Sequence, residues 1–82
     1  MIMDIPVDYD IPEAPHRQVA AWIRERIESG EFQPGRRIPS ETELVQASGV
    51  ARGTARRAVA VLRDEGLVET IGGRGTYVAR SR

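Results

Sequence analysis

The residues in this chain best suited to chemistry are its arginines. All twelve basic residues are arginine and none is lysine. Every cation therefore carries a planar fork of donors able to grip a phosphate or a guanine edge at two points. Four of them, Arg52, Arg56, Arg57 and Arg63, fall within Val50 to Gly66, ahead of that stretch's first acid, Asp64. Read as a helix, the stretch has two faces. Ala55, Ala58, Val59 and Leu62 recur at i, i+3, i+4 and i+7, the spacing that lines one side of an α-helix. Arg52, Arg56 and Arg63 lie beside that stripe, and Gly53, Arg57 and Ala60 lie opposite it. One flank is apolar and the other cationic over about 20 Å, the form of a rod that presses into a polyanion's groove.

Other chemistries lack their residues. The chain of 82 residues has no cysteine and one histidine, His16, so disulfides, thiolate metal sites and zinc centres are not expected. Its acids are dispersed, which leaves no set of side chains for an enzyme active site. No run of about 18 apolar residues offers a membrane span, and the opening residues, with Asp4 and Pro6, lack the layout of a signal peptide. A cytoplasmic location is the default expectation. Formal net charge is zero, which taken alone argues against a nucleic-acid partner, but its distribution argues the other way. Residues 1–16 hold four acids (Asp4, Asp8, Asp10 and Glu13) and no arginine, whereas residues 17–82 hold twelve arginines against eight acids. A steering potential depends on where charges sit.

The basic helix needs a scaffold, and the flanking sequence supplies one. Residues 1–15 form an acidic arm with Pro6, Pro12 and Pro15. A frayed terminus is the leading reading there. The alternation of Ile5, Val7, Tyr9 and Ile11 leaves open an extended arm or a dimer-forming edge strand. From residue 16 to 82 the chain reads as one domain. A first helix spans His16 to Ser29, with Val19, Ala20, Ile23 and Ile27 as its stripe, Trp22 packed at the core edge, an Arg24–Glu28 pair on the wet side and Gly30 as its stop. Phe32-Gln33-Pro34-Gly35 signals a turn, and Arg36-Arg37-Ile38 allows one small strand. Ser40 and Glu43 form a capping box for a short second helix, about Glu41 to Ala47, with Leu44 inward. Gly49 permits the break, and Val50 anchors it from below. Past the basic helix, Leu67–Ile71 and Thr76–Ala79 read as strands joined by the flexible reversal Gly72-Gly73-Arg74-Gly75.

Helix, glycine-containing turn and basic helix make a helix-turn-helix, whose second helix enters the major groove of duplex DNA. Arginine is the commonest reader of guanine there. The free N–H groups at the basic helix's start add a phosphate site. This places Arg52, Thr54 and Arg56 nearest the DNA and Arg57 on phosphate, while Gly53 removes a side chain from the approaching surface. Arg74, between glycines at the hairpin tip, suits a narrow minor groove. Either cationic element alone has an ordinary explanation as a solvated face or a plain hairpin. Together, in this order, they point to binding.

Pro34-Gly35, Ile38-Pro39-Ser40-Glu41, Leu44, Gly49-Val50, Arg52, Thr54, Arg56, Ala58, Leu62, Glu65-Gly66-Leu67-Val68 and Gly73-Arg74-Gly75-Thr76-Tyr77-Val78 closely resemble the DNA-binding domain of the GntR family of bacterial transcription regulators. The resemblance covers about Arg17 to Ala79. It implies an α+β, mainly α, winged helix-turn-helix of three helices and a small β-hairpin wing. It also implies operator binding as a homodimer, and usually repression. Positions 52, 54, 56 and 73 commonly contact DNA in that family, and Ser40, Thr42, Arg57, Gly53, Arg74 and Gly75 complete the candidate set. No cofactor is implied. Ala51 departs from the family's usual serine or threonine, Gly53 from a polar residue and Thr42 from arginine, which removes a cap and a charge. The family normally continues into a domain that senses a metabolite, and none is expected within these residues. A stand-alone regulator and the DNA-binding part of a longer one both remain open. The competing reading is a winged-helix protein-interaction module, motivated by the zero net charge and the acidic arm.

Overall fold

The computed structural model describes residues 3–80. Three helices come first, α1 (Pro15–Ser29), α2 (Glu41–Ser48) and α3 (Arg52–Asp64). They are followed by an antiparallel hairpin of β1 (Val68–Ile71) and β2 (Gly75–Val78), paired from Val68 opposite Val78 to Ile71 opposite Gly75. The sequence boundaries hold to within a residue or so. α1 opens one residue earlier than expected, on Pro15, because proline's fixed φ and missing N–H suit the first helical position. The short strand expected at 36–38 is a single bridge of Arg37 to Tyr77. It is flanked by hydrogen bonds from Ile38 N to Thr76 O (2.9 Å) and from Val78 N to Arg36 O (2.8 Å), so it lies along the outer edge of β2.

One core lies between α1, α2, α3 and the base of the hairpin. Val19, Ala20 and Ile23 of α1 meet Ala55, Ala58, Val59 and Leu62 of α3, with Leu44 from α2, Ile38, Val50, and Val68 and Val78 from the hairpin. The stripe read from the sequence of α3 is thus the buried stripe. Alanines at 20, 55 and 58 leave short side chains where helices meet, which lets their backbones come close. The capping box forms as expected: Ser40 Oγ accepts from Glu43 N (3.1 Å) and Ser40 N donates to the Glu43 carboxylate (2.8 Å). Gly49 takes φ 77° at the end of α2 with open space where a Cβ would stand, so the turn needs its backbone freedom rather than its small size. Trp22 sits at the core edge, its ring edge-on to Phe32 at 6.0 Å and covered by the Arg26 guanidinium at 3.9 Å.

Two expectations are overturned. The arm is not frayed: Ile5 is 1% exposed within the core, and its N–H donates to Ala47 O at the end of α2 (3.0 Å). Gln18 holds the rest, its Oε1 accepting from Asp8 N (2.8 Å) and its Nε2 donating to Asp8 O (2.8 Å) and Glu13 O (2.9 Å). Backbone groups that a free terminus would give to water are satisfied by one amide side chain. Arg24, for its part, passes over Glu28 and forks onto Glu65 just past α3, with Nε–Oε1 at 2.9 Å and Nη2–Oε2 at 2.7 Å. The i, i+4 order Arg then Glu is the poorer one on a helix, and a bidentate partner across the α1–α3 packing wins. That pair raises the Arg24 pKa and holds the Glu65 carboxyl below its ordinary value, chiefly through the hydrogen bond.

Two measurements check this packing. Ile5→Ala should cost about 2–4 kcal/mol in denaturant unfolding, as for a buried aliphatic side chain, whereas a frayed arm would leave stability unchanged. Glu65→Gln should cost no more than about 1 kcal/mol at neutral pH, since the pair is partly exposed. Because the folded Glu65 pKa is depressed, that difference should be full above the ordinary glutamate value of about 4.3 and vanish as pH falls through the lower folded value. Unfolding curves across acid pH read it directly.

Candidate nucleic-acid interface

The N-terminus of α3 is built open. Ala51 occupies the cap position, in extended conformation, and brings no side-chain oxygen to the first-turn N–H groups. Arg52, Gly53 and Thr54 are the first three helical residues, so the positive end of the helix carries its donors outward with no cap in the way. Gly53 has no neighbour within 4 Å of where a Cβ would stand. The buried stripe sets the roll of the helix and brings the arginines to the surface. The side chain of Arg52 is 52% exposed and that of Arg56 65%, and Arg57 is exposed beside them.

These arginines are not loose. Arg56 donates from Nε to Glu41 Oε2 (2.9 Å) and from Nη2 to Glu41 Oε1 (3.2 Å). Arg52 donates from Nη1 to the same Oε1 (3.5 Å) and to Thr42 Oγ1 (3.3 Å). Glu41 is the first residue of α2, so the bracing helix reaches across to the cations of α3. The hydrogen bond from Arg56, reinforced by Arg52, holds the Glu41 carboxyl below its ordinary value, and Glu41 in turn raises the pKa of Arg56. Glu41 and Arg56 are both charged at neutral pH.

The hairpin is tied to the same face. Arg63, near the end of α3, donates from Nε (3.2 Å) and Nη2 (2.9 Å) to Thr70 Oγ1, and the Thr70 and Thr76 hydroxyls share a hydrogen bond across the strands at 3.2 Å. At the tip, Arg74 N donates to Ile71 O (3.0 Å) and closes the turn. Gly75 is favoured by its backbone angle, and any larger residue would also push the Arg37 side chain aside. The glycine's φ is 133°, and a Cβ there would lie 2.8 Å from Cδ of Arg37. Between hairpin and helices lies a cleft of about 390 Å³, lined by Arg37, Arg56, Arg63 and Arg74 with Thr70 and Thr76 on its wall. The recognition-type helix and the hairpin tip therefore face one concavity, not opposite sides of the molecule.

Most sequence candidates gather here. Arg56, Arg74, Gly75, Ser40 and Thr42 line the cleft. Arg52 reaches it through Glu41 and Thr42, and Gly73, with φ 74°, shapes the tip. Gly53 and Thr54, in the first turn of α3, and the exposed Arg57 are not among its lining residues. Ser40 has a structural task as well, its Oγ being the α2 cap. Thr42 acts through Arg52, whose Nη1 it accepts. Sequence reasoning missed Arg37, Glu41 and, as a wing partner, Arg63. Arg37 carried a signal, since the short strand at 36–38 could only pair with the hairpin.

The comparisons with known proteins agree with this geometry. Residues 15–78 match the model of the bacterial regulatory proteins of the gntR family. The chain is 43% identical over 67 residues to the mannosyl-D-glycerate transport/metabolism system repressor MngR of Escherichia coli, covering 82% of this chain and 28% of that protein. It is 44% identical over 71 residues to the histidine utilization repressor of Klebsiella aerogenes, covering 87% and 30%. It thus spans under a third of the length of these relatives. Among solved structures, the AraR DNA-binding domain in complex with operator ORE1 superimposes with a TM-score of 0.81 at 35% identity, covering 95% of each chain. YtrA of Sulfolobus acidocaldarius, a GntR-family transcription factor, gives 0.78 at 33%, covering 93% of this chain and 64% of the other. Sequence, fold and the shared face of helix and hairpin meet in one assignment: the chain belongs to the GntR family of bacterial regulators and forms its winged helix-turn-helix domain.

Proposed function

We propose that this domain reads duplex DNA sequence-specifically for a transcriptional regulator, with repression as the output. The observation that carries the proposal is the common cleft of α3 and the hairpin, cationic on both walls. A major groove about 12 Å wide admits one helix, and its edges distinguish all four base pairs. In this reading Arg52 and Arg56 grip guanine, and Thr54 and the open first turn meet phosphate. Arg57 then takes phosphate on the outer flank. Arg74, carried by Gly73 and Gly75, reaches the adjacent minor groove or backbone. The relatives named repressors and the AraR domain solved with operator DNA support the same reading. One recognition helix spans only a few base pairs, so the working form is a homodimer on two half-sites about one turn apart. The role is one of binding, with no catalytic step, and belongs in the cytoplasm beside the chromosome.

A protein-interaction module with the same fold predicts different behaviour. Binding through phosphate contacts releases counterions, so affinity for a duplex should fall steeply as salt rises. Weak binding with a flat salt response would favour the module.

Two variants test the assignment. Arg52→Ala should cost about 1–3 kcal/mol on a site selected from random duplexes and relax the preference at one base pair, as read by fluorescence anisotropy. Unchanged binding would remove Arg52 from the interface. Gly53→Ala should split stability from binding. Its Cβ meets open space within a helix, so melting should rise by up to about 1 kcal/mol, while affinity for the selected site should drop as the methyl holds the backbone away from DNA. A rise in stability with no loss of affinity would place Gly53 outside the contact.

A further inference from the structure

The acid at the centre of the cationic face has no evident place in a surface built to bind a polyanion. Glu41 is half-buried among arginines, and its negative charge opposes every phosphate that approaches. It does not serve as a cap, since α2 is capped by Ser40 and Glu43, and its place in the first turn of α2 gives it only a modest attraction to the positive helix end. As an ion pair with partners more than half exposed, it contributes little to folding. What it does have is geometry. A guanidinium has two edges on which a pair of acceptors can dock, one formed by Nε and Nη2 and the other by Nη1 and Nη2. Glu41 occupies the Nε–Nη2 edge of Arg56. Among the described residues, nothing accepts from Nη1. The second edge is thus left whole, with the two parallel N–H vectors that match guanine O6 and N7. Arg52 is held more loosely, through one nitrogen and at 3.3–3.5 Å. Glu41 and Thr42 take Nη1, and the Nε–Nη2 edge is left.

Resting on the DNA-reading function above, we propose that Glu41 is a positioning residue for base recognition, clamping the Arg56 guanidinium plane so that it offers one free bidentate edge to the major groove. An arginine side chain carries about 2 kcal/mol of rotamer entropy, and a clamped one loses less of it on binding. The same carboxylate keeps Arg56 from reaching freely for phosphate. The acid therefore acts in opposite directions on the two kinds of complex. It favours the one in which the fork finds a guanine, and it disfavours the one held by phosphates alone.

That opposition is the test. The full chain is titrated by fluorescence anisotropy against a duplex it selects from random DNA and against a scrambled duplex of equal length and composition. Glu41→Ala should bind the scrambled duplex more tightly than the parent does and lower the ratio of selected to scrambled affinity by about tenfold, within what one bidentate arginine–base pair contributes. Glu41→Gln, which keeps one acceptor and loses the charge, should fall between. Both should stay folded, with at most a small drop in melting from the charge lost in the first turn of α2. In an Arg56→Ala background, Glu41→Ala should change the ratio little, because the group it positions is gone. If Glu41→Ala raises both affinities equally and leaves the ratio intact, Glu41 is only a repelling charge and the proposal is overturned. If the ratio falls as far with Arg56 absent, Glu41 does not act through Arg56, and the proposal is again overturned. A parent chain that does not prefer its selected duplex removes the DNA-reading function itself, and this role with it.

Discussion

The roll of α3 about its own axis is the constraint on which the rest of the structure depends. Ala55, Ala58, Val59 and Leu62 are buried against α1, α2 and the hairpin base, and that choice fixes where every other side chain of the helix goes. Turning the helix by one residue's angle, about 100°, would expose the stripe and carry a guanidinium inward. An unpaired ion costs several kcal/mol to desolvate, more than such a small core can offset. No charged side chain is buried in the described structure. The arginines are therefore on the surface because the alanines and Leu62 are not, and the same residues specify both the packing and the presentation.

The hairpin has value only if it keeps a fixed relation to that helix, and three independent links provide it. Val68 and Val78 anchor its base in the core. The strand-like segment at Arg37 braces β2 from outside, through one bridge and the hydrogen bonds beside it. Arg63 bonds Thr70, which bonds Thr76, so one contact from α3 reaches both strands. A two-stranded ribbon alone is marginal in water. Here its base is apolar, its edge is paired and its face is tied to the helix it must work beside, which leaves the tip at Gly73-Arg74-Gly75 as the extended finger.

What could be read in the sequence was whatever is encoded over one or two helical turns or one hairpin. The α3 stripe, the Ser40–Glu43 box and the Gly49 break each follow from residues a few positions apart and stand where expected, and the reversal after β1 does so one residue shorter, with Gly75 already paired in β2. The pairings that were missed join distant positions. Arg24 meets Glu65 41 residues on, and Arg56 meets Glu41 15 residues back. No periodicity announces such pairs, and a nearer partner such as Glu28 looks adequate until the helices are packed. The arm failed for a related reason. Its prolines and acids have the composition of a free terminus, while its order rests on Ile5 finding a gap beside Ala47 and on Gln18 offering the right amide. Of the site, the cations were legible and the acid that organises them was not.

The absence of lysine then takes on a structural meaning. In both long-range pairs the arginine docks a carboxylate with Nε and Nη2 together. A lysine ammonium, as a single point charge, could meet either oxygen but could not fix a plane or leave a second edge free. At Arg24 the planar grip ties α1 to the end of α3, and so helps hold the helix whose roll matters. At Arg56 it leaves half of the donor set for something outside the chain. A net charge of zero is thus compatible with a strongly cationic face. Two of the acids closest to the arginines act as their fixed partners, and a fork held by a carboxylate on one edge still has two N–H groups to give on the other.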